Sequence, residues 1–271
     1  YALTPEEVAL DYNQGMAAVM GQSSANTGST APGGSAAQEY CVPGSTDYCA
    51  PPVAEWNFEE NTGTTARDTS GNGNDGTLVN MDNSNWVVGV NGSGAAVKFN
   101  GSNQYAQVAQ GHGLLSSDIT VSMWIYPTSW THQTHTALLS SRVTGLDGFM
   151  FFILSQGNLH FDWSDGSNQY RWNTGYQPPL NTWTHLTIGR DSNGRYLYVN
   201  GKLQNSTDIA GGPPTADTSF GIGVDPNGSQ YYYQGLIDNV RIYDYARTPA
   251  QIAWDYNRGA PVGHWRFDEC Q

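Results

Sequence analysis

Residues 119–126 read Ile-Thr-Val-Ser-Met-Trp-Ile-Tyr, with an aliphatic residue or Met at every second position. Successive side chains of a β-strand point to opposite faces, so this alternation predicts a strand with one face in a core. The uninterrupted apolar run at 149–154 predicts a strand buried on both faces. Shorter alternating runs flank Asn-Gly turns at 100–101 and 200–201. About twelve such runs and few helical segments predict an all-β sandwich of two antiparallel sheets.

Composition supports a turn-rich β protein and excludes two classes of partner. The 271 residues include 32 Gly and 13 Pro, while charged residues make up only 13%. The net charge is −13 and Lys98 and Lys202 are the only lysines, so we expect no nucleic-acid binding, which needs a basic face. Because no apolar run approaches the roughly 20 residues of a membrane span, we expect no membrane insertion.

Two pairs of similar segments indicate an internal repeat whose units are out of phase with this sequence. Residues 1–15 and 245–259 are identical at nine of fifteen positions, and 53–60 and 262–269 share the pattern V-x-x-W-x-F-[ED]-E. The first pair carries helix-start signals, with Thr before Pro, which predict short helices near 4–14 and 248–257. We therefore expect four segments. They are a closing helix of a preceding domain at 1–15, a Ser/Gly/Pro-rich linker at 16–52, one whole domain at 53–258, and the opening strand of a following or neighbouring domain at 259–271.

The cysteines favour an oxidising compartment. Cys41 and Cys49 bracket a Pro-Gly turn within the linker, which predicts a small disulfide loop; free thiols are the alternative. Cys270 is left over and would pair with a cysteine outside this stretch. We therefore expect an extracellular or cell-surface protein.

The stretch 67–76, RDTSGNGNDG, has the densest set of oxygen-bearing side chains in the chain. Carboxylates, carboxamides and hydroxyls between glycines suit a hard cation such as calcium, and the glycines permit left-handed turns. A twelve-residue EF-hand loop is a poor match, because Val79 stands where the bidentate Glu is required. The alternative is a solvated surface turn.

Seven stretches in order carry a resemblance to a known family. They are Trp56–Gly63, Asp68–Leu78, Val97–Ser102, Val121–Ile125, Trp183–Leu186, Leu197–Gly201 and Gly235–Tyr243. Over residues 53 to about 258 the chain resembles the laminin-G-like (LamG-like), concanavalin A-type jelly rolls, in particular a bacterial group of LamG-like repeats. The resemblance implies a two-sheet jelly roll whose first and last strands lie side by side.

The same resemblance implies a calcium site that the opening loop shares with a late strand. Asp68 and Asp238 would bind by side chain, and Ser70, Asn72 and Asn74 by side chain or carbonyl. The alternative for Asp238 is a turn-capping aspartate. A cation there would tie the two ends of the domain together.

Catalysis is not expected. The fold family includes glucanases with paired glutamates, but this chain has no Glu between Glu60 and Glu269. Asp162 and Asp165 are the nearest acidic candidates, and the sequence favours a strand end there. His132 and His135 are interpreted as part of a polar loop, and His185 as a strand residue on one sheet face.

Carbohydrate binding is the open alternative. Sugars stack on exposed aromatic rings beside polar groups, and Trp130, Trp163, Tyr170 and Trp172 lie in or near segments that could form one rim. Tyr176 and the run at 231–233 could join them. These aromatics could equally fill the core, as expected for Trp56, Trp124 and Trp183.

The sequence thus predicts a calcium-stabilised LamG-like domain of a secreted or surface structural or adhesive protein. Its partners would be other copies or adjacent LamG-like domains in a tandem array or filament, and possibly glycans. The alternative is a carbohydrate-binding module of a larger polysaccharide-active protein.

Overall fold

The structure, a computed structural model, describes most of the chain between residues 40 and 257. The described ranges are 40–42, 47–92, 94–108, 114, 116–130, 134–142, 147–208, 219–227 and 230–257. The predicted helix at 4–14, most of the linker and the predicted strand at 259–271 lie outside these residues, as do His132 and Cys270.

The described residues form mainly short strands. In chain order they are Ala54–Trp56 (β1), Thr65–Ala66 (β2), Gly76–Val79 (β3), Trp86–Val88 (β4), Ala95–Asn100 (β5), Tyr105–Val108 (β6), Ile119–Pro127 (β7), His135–Ser140 (β8), Phe149–Leu154 (β9), Leu159–Ser164 (β10), Gln169–Asn173 (β11), Thr184–Arg190 (β12), Arg195–Val199 (β13), Lys202–Thr207 (β14), Phe220–Ile222 (β15) and Gln234–Tyr243 (β16). Single 3-10 turns cover Asn83–Asn85 and Val90–Gly92, and one α-helix, α1, covers Pro249–Asn257. That helix matches the one predicted near 248–257.

The strands make two antiparallel sheets. The first sheet has the order β14-β13-β12-β7-β16-β5-β4, with β1 also paired to β16, and the second has the order β11-β10-β9-β8-β15-β6-β3-β2. Consecutive hairpins in each sheet are joined by pairs of strands that are distant in sequence, such as β7 with β16 and β8 with β15, which is the pattern of a jelly roll rather than a meander. The predicted two-sheet jelly-roll sandwich is confirmed.

Strand β7 is buried on one face in the central core and β9 is buried on both faces, as their sequences predicted. Val121, Met123 and Ile125 of β7 are buried in the core between the sheets. Phe149, Phe151 and Ile153 of β9 enter the same core from the second sheet, while Met150 and Phe152 are buried on its outer side. A strand buried on both faces needs apolar residues at every position, as the sequence of β9 has.

The first and last strands of the sandwich lie side by side, as the resemblance implied. Ala54 of β1 pairs with Ile242 of β16, and Trp56 pairs with Val240. The register of β16 against β7 shifts between Asp238 and Arg241, and Asn239 there has a φ of 48°. This β-bulge lets one long strand pair with β5 and then with β1 along the same edge.

The chain divides into two compact units. The sandwich occupies Pro52–Ala246, and the residues up to Pro51 group with those from Arg247 onward. The helix α1, which the sequence assigned to the domain at 53–258, therefore belongs to the smaller unit. In the smaller unit Cys41 and Cys49 form a disulfide bond of 2.08 Å. Arg247 donates to the Tyr40 carbonyl at 2.8 Å and forms a buried ion pair with Asp255 at 3.0 Å. No helix among the described residues is long and apolar enough to cross a membrane.

Candidate functional site

Strand β10 has one apolar and one polar side. Phe161 and Trp163 point into the core, so His160 and Asp162 lie on the outer side of the second sheet. The register places Asp162 between Met150 and Arg171, and it places His160 between Phe152 and Asn173. The outer side of this sheet therefore carries rows of mixed polar and apolar groups.

Neighbouring segments extend this surface. Arg142, just after β8, donates through Nη1 to the Met150 sulfur at 3.4 Å, and Asp225 accepts a hydrogen bond of 3.1 Å from the Ser140 hydroxyl. The His135 ring lies 4.8 Å from the Tyr231 ring. We call this surface the polar face. It comprises His135, Arg142, Phe152, His160, Asp162, Arg171, Asp225 and Tyr231.

Two ion pairs balance the charges of the polar face. Arg171 Nε lies 3.5 Å from Asp162 Oδ2, and Arg142 Nη2 lies 3.8 Å from Asp225 Oδ2. Asp162 is only 4% exposed, and this burial raises its pKa to about 6 although Arg171 and Arg142 act in the opposite direction. Burial likewise raises the pKa of Asp225, which is fully buried.

The two histidines of the polar face are neutral at physiological pH. Burial lowers the pKa of His160, and the charges of His135 and Arg171 lower it further. Burial also lowers the pKa of His135, with Arg171 and Arg142 adding to the effect. A neutral imidazole can both donate and accept a hydrogen bond, which is useful in a binding site.

Several buried polar atoms of this face lack a hydrogen-bond partner within the described part of the chain. They are His160 Nε2, Asp162 Oδ1, Arg142 Nε and Asp225 Oδ2. An unsatisfied buried polar group costs about 1–3 kcal/mol, so native proteins keep few of them. These atoms are buried, whereas the Arg171 side chain, which also belongs to the polar face, is 70% exposed. This combination is what a ligand with hydroxyl groups would complete.

Two of the aromatic residues predicted for glycan stacking are in the core. Trp163 is 1% exposed and Trp172 is 7% exposed. The Arg190 guanidinium lies 4.7 Å from the Trp163 ring centre, and Arg195 lies 5.8 Å from that of Trp172. Strand alternation turns both indoles inward, and arginines from the first sheet cover them, so the prediction of stacking surfaces at these two residues is wrong.

The remaining predicted aromatics are divided between the central core and the polar face. Trp130 and Tyr170 are half-buried against the core, and the Tyr170 hydroxyl donates to Asp165 at 2.8 Å. In the tyrosine run, Tyr233 is a core residue, whereas Tyr231 belongs to the polar face. Tyr231 has a φ of 61°, a left-handed value that is uncommon outside glycine.

Three other predictions for individual residues, His135, Trp124 and Trp183, need correction. His135 begins β8 and faces the polar surface, so it is not part of a loop. Trp124 is buried, but it contacts His185 across the outer side of the first sheet at 5.1 Å rather than the central core. Trp183 is half-buried and contacts Tyr126 at 5.6 Å. His185 is a strand residue on one sheet face, as predicted.

The loop at 67–76 is tied to β1 through Asp68. Its carboxylate accepts backbone N–H bonds from Glu55 at 3.0 Å, Ser70 at 3.0 Å and Asn74 at 2.8 Å. Burial raises the pKa of Asp68, but the bonds from Ser70, Asn74 and Glu55 together outweigh it and lower the pKa. These hydrogen bonds fasten the loop to the first strand.

The other predicted loop ligands gather at one carbonyl. The Val53 carbonyl accepts bonds from Ser70 Oγ at 3.3 Å, Asn72 Nδ2 at 3.0 Å and Asn74 Nδ2 at 3.1 Å. Asp75 Oδ1 accepts from the Asp68 N–H at 2.8 Å. We call residues 67–76 together with their bonds to Val53 and Glu55 the clasp.

Asp238 is held by other groups. Its carboxylate accepts from the Val90 N–H at 3.1 Å and from the Asn239 amide. Within the described ranges, no three His, Cys, Asp or Glu side chains come close enough to hold a metal ion. The clasp residues fit calcium in part, because neutral oxygen-bearing groups converge at Val53. Asp68 and Asp238 each accept hydrogen bonds from groups of their own, and the joint shell of these two residues stays a prediction.

A depression of about 550 Å³ adjoins the clasp and is lined by residues between Asn57 and Thr69. Asn57 Oδ1 and Glu60 Oε2 in its wall are buried and have no hydrogen-bond partner in the described structure. The other Glu60 oxygen accepts from the Arg67 N–H at 2.6 Å. These free oxygens lie next to the predicted loop, but the sequence did not single them out.

Comparison with known proteins places this sandwich in a family. The model of the Laminin_G_3 family, of the concanavalin A-like lectin/glucanases superfamily, matches residues 100–253, more than half of the 271-residue chain. The chain belongs to this family. Among curated proteins no relative matches. As a Laminin_G_3 domain, the sandwich has the two-sheet architecture that the sequence predicted.

Solved structures share the concanavalin A-like fold. Domain 4 of AbnA, a GH43 extracellular arabinanase from Geobacillus stearothermophilus solved in complex with arabinotriose, is 27% identical, with a TM-score of 0.59 over 76% of this chain and 97% of that one. The botulinum neurotoxin serotype D ligand binding domain in complex with N-acetylneuraminic acid is 17% identical, with a TM-score of 0.60 over 76% and 50%. The chain thus spans about half the length of that toxin domain, and the likeness shows the fold alone.

The sequence singled out Asp162 as a catalytic candidate, His135 as part of a loop and Tyr231 as a possible rim aromatic. Arg171, Arg142 and Asp225 were missed because they come from other segments of the chain, and His160 was missed although it shares β10 with Asp162. One signal was available: in LHFDWS the apolar residues alternate, so His160 and Asp162 had to share the opposite face.

Proposed function

We propose that this Laminin_G_3 domain binds carbohydrate through the polar face. The observation that carries the proposal is a set of buried polar atoms at His160, Asp162 and Arg142 that have no hydrogen-bond partner among the described residues, beside exposed Arg171. Sugar hydroxyls can satisfy both donors and acceptors, and the Tyr231–His135 ring contact offers an apolar wall. The similarity to the arabinotriose-bound domain 4 of AbnA supports the same class of ligand.

Glycan binding can be tested by calorimetric titration with arabino-oligosaccharides and with other plant and bacterial glycans. We expect His160→Ala and Arg171→Ala each to weaken binding about tenfold, the effect of losing one or two hydrogen bonds. Leu203→Ser is the matched control, because Leu203 is 56% exposed on the first sheet. Unchanged binding in both polar-face variants, or an equal loss in the control, would refute this location.

We further propose that the polar face binds without catalysing hydrolysis. A glycosidase needs two carboxyl groups that both reach the substrate or its attacking water. Asp162 has the raised pKa of a general acid, but Asp225 is fully buried and accepts from the Ser140 hydroxyl and the Asn227 N–H. We expect no release of reducing ends from any glycan that binds; detectable release abolished by Asp162→Asn would contradict this.

A second candidate function is structural or adhesive, as part of a tandem array or filament. It is favoured by the internal echoes of 1–15 with 245–259 and of 53–60 with 262–269. Light scattering and electron microscopy of the purified chain test it: we expect concentration-dependent elongated assemblies, whereas a monomer at all concentrations would count against self-association.

An extracellular location follows as part of the same proposal. The Cys41–Cys49 disulfide needs an oxidising compartment to persist, and the AbnA domain belongs to an extracellular enzyme. Labelling of free thiols in protein taken directly from its native compartment tests this. Cys41 and Cys49 should remain unlabelled until a reductant is added.

Calcium at the clasp is also a proposal. Val53, Ser70, Asn72 and Asn74 would hold the ion through neutral oxygens once the two amides turn their oxygens inward, and calcium would add electrostatic cross-linking of β1 to the loop. We expect calcium to raise the melting temperature and a chelator to reverse this. Asn72→Ala should remove the effect if the ion lies at Val53, and Glu60→Gln if it lies in the adjacent depression. A melting temperature that changes with neither calcium nor chelator would refute the site.

A further inference from the structure

We infer that the polar face selects neutral sugars over sugars that carry a carboxylate. This inference rests on the glycan binding proposed above and names the ligand class of that site. It depends on how the charged groups of the polar face are paired, on which atoms remain free, and on the apolar contacts beside them.

The charges of the polar face cancel. Asp162 pairs with Arg171 at 3.5 Å, and Asp225 pairs with Arg142 at 3.8 Å, while burial keeps the two histidines neutral. A site for an anionic sugar requires a net positive charge or an arginine that is free to form a bidentate pair. Each arginine already faces a carboxylate, and Arg171 also donates to Gln169 Oε1 at 2.9 Å, so an acidic sugar would have to compete with these partners.

The buried atoms that lack a hydrogen-bond partner in the described structure include both an acceptor and a donor. Asp162 Oδ1 is an acceptor, Arg142 Nε is a donor, and His160 Nε2 can be either, depending on the tautomer. A sugar hydroxyl donates one hydrogen bond and accepts others, so the hydroxyls of a neutral sugar suit all three atoms. A sugar carboxylate only accepts, and beside Asp162 it would place two like charges in a partly desolvated site.

The aromatic rings of the polar face also favour a neutral sugar. The rings of Phe152, His135 and Tyr231 form a contiguous contact, with centres 5.2 Å and 4.8 Å apart along the series, and His160 adds a contact of 5.3 Å to Phe152. C–H groups of a sugar ring pack against such a surface. The net charge of −13 adds a long-range penalty for anionic ligands at low ionic strength.

The test compares neutral and acidic oligosaccharides of equal length by calorimetry at about pH 8, where Asp162, with a pKa of about 6, is ionised. Arabinotriose and xylotriose are the neutral probes, and tri-galacturonic acid and sialyllactose are the acidic ones. We expect the dissociation constants of the neutral probes to be at least about tenfold lower than those of the acidic probes. Acidic probes that bind as well or better would overturn the inference while glycan binding itself would stand.

Asp162→Asn makes the test specific. The amide keeps an acceptor and removes the negative charge, so neutral binding should weaken about threefold or more and acidic binding should improve. Asp82→Asn is the matched control: it removes one charge from the exposed N-cap of the Asn83–Asn85 turn, where Asn also caps well.

The inference requires the ratio of neutral to acidic affinity to fall in Asp162→Asn and to stay constant in Asp82→Asn. An unchanged ratio in Asp162→Asn would overturn it. If no probe of either class binds the wild-type chain, the proposed function and this inference fail together, which distinguishes that result from a failure of selectivity alone.

Discussion

The clasp and the polar face are both clusters of polar side chains, but their hydrogen bonding differs. In the clasp, Asp68 accepts three backbone N–H bonds and the Val53 carbonyl accepts three side-chain bonds. In the polar face, Asp162 and His160 retain buried atoms without partners inside the described chain. The clasp has the higher density of polar residues in sequence, whereas the polar face has the unmet hydrogen-bonding capacity.

This difference separates stability from binding. Polar groups that satisfy one another hold a strand in place and leave little for a ligand, whereas a buried group with no partner costs stability and is kept where a ligand completes it. The clasp fastens β1 at the edge of the first sheet. The polar face on the second sheet is the surface to which we assign the proposed glycan binding.

The largest expected effect comes from the residue that follows Asp162. Trp163→Ala should lower the free energy of unfolding by about 4 kcal/mol, because it empties a core site under Arg190. Urea denaturation measures the loss, and Trp163→Phe is the control with a smaller cavity. A Trp163→Ala protein that keeps its stability and loses only glycan binding would show that this indole belongs to the binding surface and not to the core.

Asp68→Ala should lower the free energy of unfolding by about 3 kcal/mol, since three backbone donors lose a charged acceptor. Asp68→Asn keeps one oxygen acceptor and should lose roughly half as much. Urea denaturation of all three proteins measures both differences. Glycan affinity should not change in either variant, so a parallel loss of binding would break the separation between the two clusters.

The same residue makes a pH prediction as part of that comparison. The folded-state pKa of Asp68 is below its ordinary value of 3.8, so its stabilising effect is present above that value and is lost as the pH falls through the folded pKa. The stability difference between wild type and Asp68→Ala should therefore be constant at neutral pH and shrink below about pH 4.

Asp162→Asn should act in the opposite direction. A folded-state pKa of about 6 against an ordinary 3.8 means that the ionised form opposes folding at neutral pH. Substitution should stabilise the protein above about pH 6 by at most about 3 kcal/mol, less what Arg171 loses with its partner. Thermal melts at several pH values measure this, and the gain should vanish near pH 4. Destabilisation at every pH would show that the carboxylate is structural.

The smallest effect is expected at the outer part of the clasp. Asn72→Ala in the absence of calcium should cost about 1 kcal/mol, because it removes an exposed amide that shares the Val53 carbonyl with two other donors. Chemical denaturation in chelator measures it, with Asn72→Ser as a polar control. A loss as large as that of Asp68→Ala would mean that the amide, rather than the carboxylate, holds the clasp.

Strand residues with clear periodicity were predictable. The alternation at 119–126 and the apolar run at 149–154 predicted β7 and β9, and the resemblance predicted β1 beside β16. Trp163 and Trp172 were harder, because an aromatic residue on a short strand suits a core as well as a sugar site. The register of β10 and the arginines of the opposite sheet decided between these alternatives.

The amino-acid sequence by itself determined the strand pattern, the sandwich class, the cysteine pair and the polar composition of 67–76, because these depend on residue types that are close together in the chain. Only the tertiary structure decided which polar groups are satisfied. Asp68 meets Glu55 across thirteen positions, and Asp238 meets Val90 across 148. Hydrogen bonding and burial depend on such distant partners, so the assignment of clasp and binding face required the folded sheets.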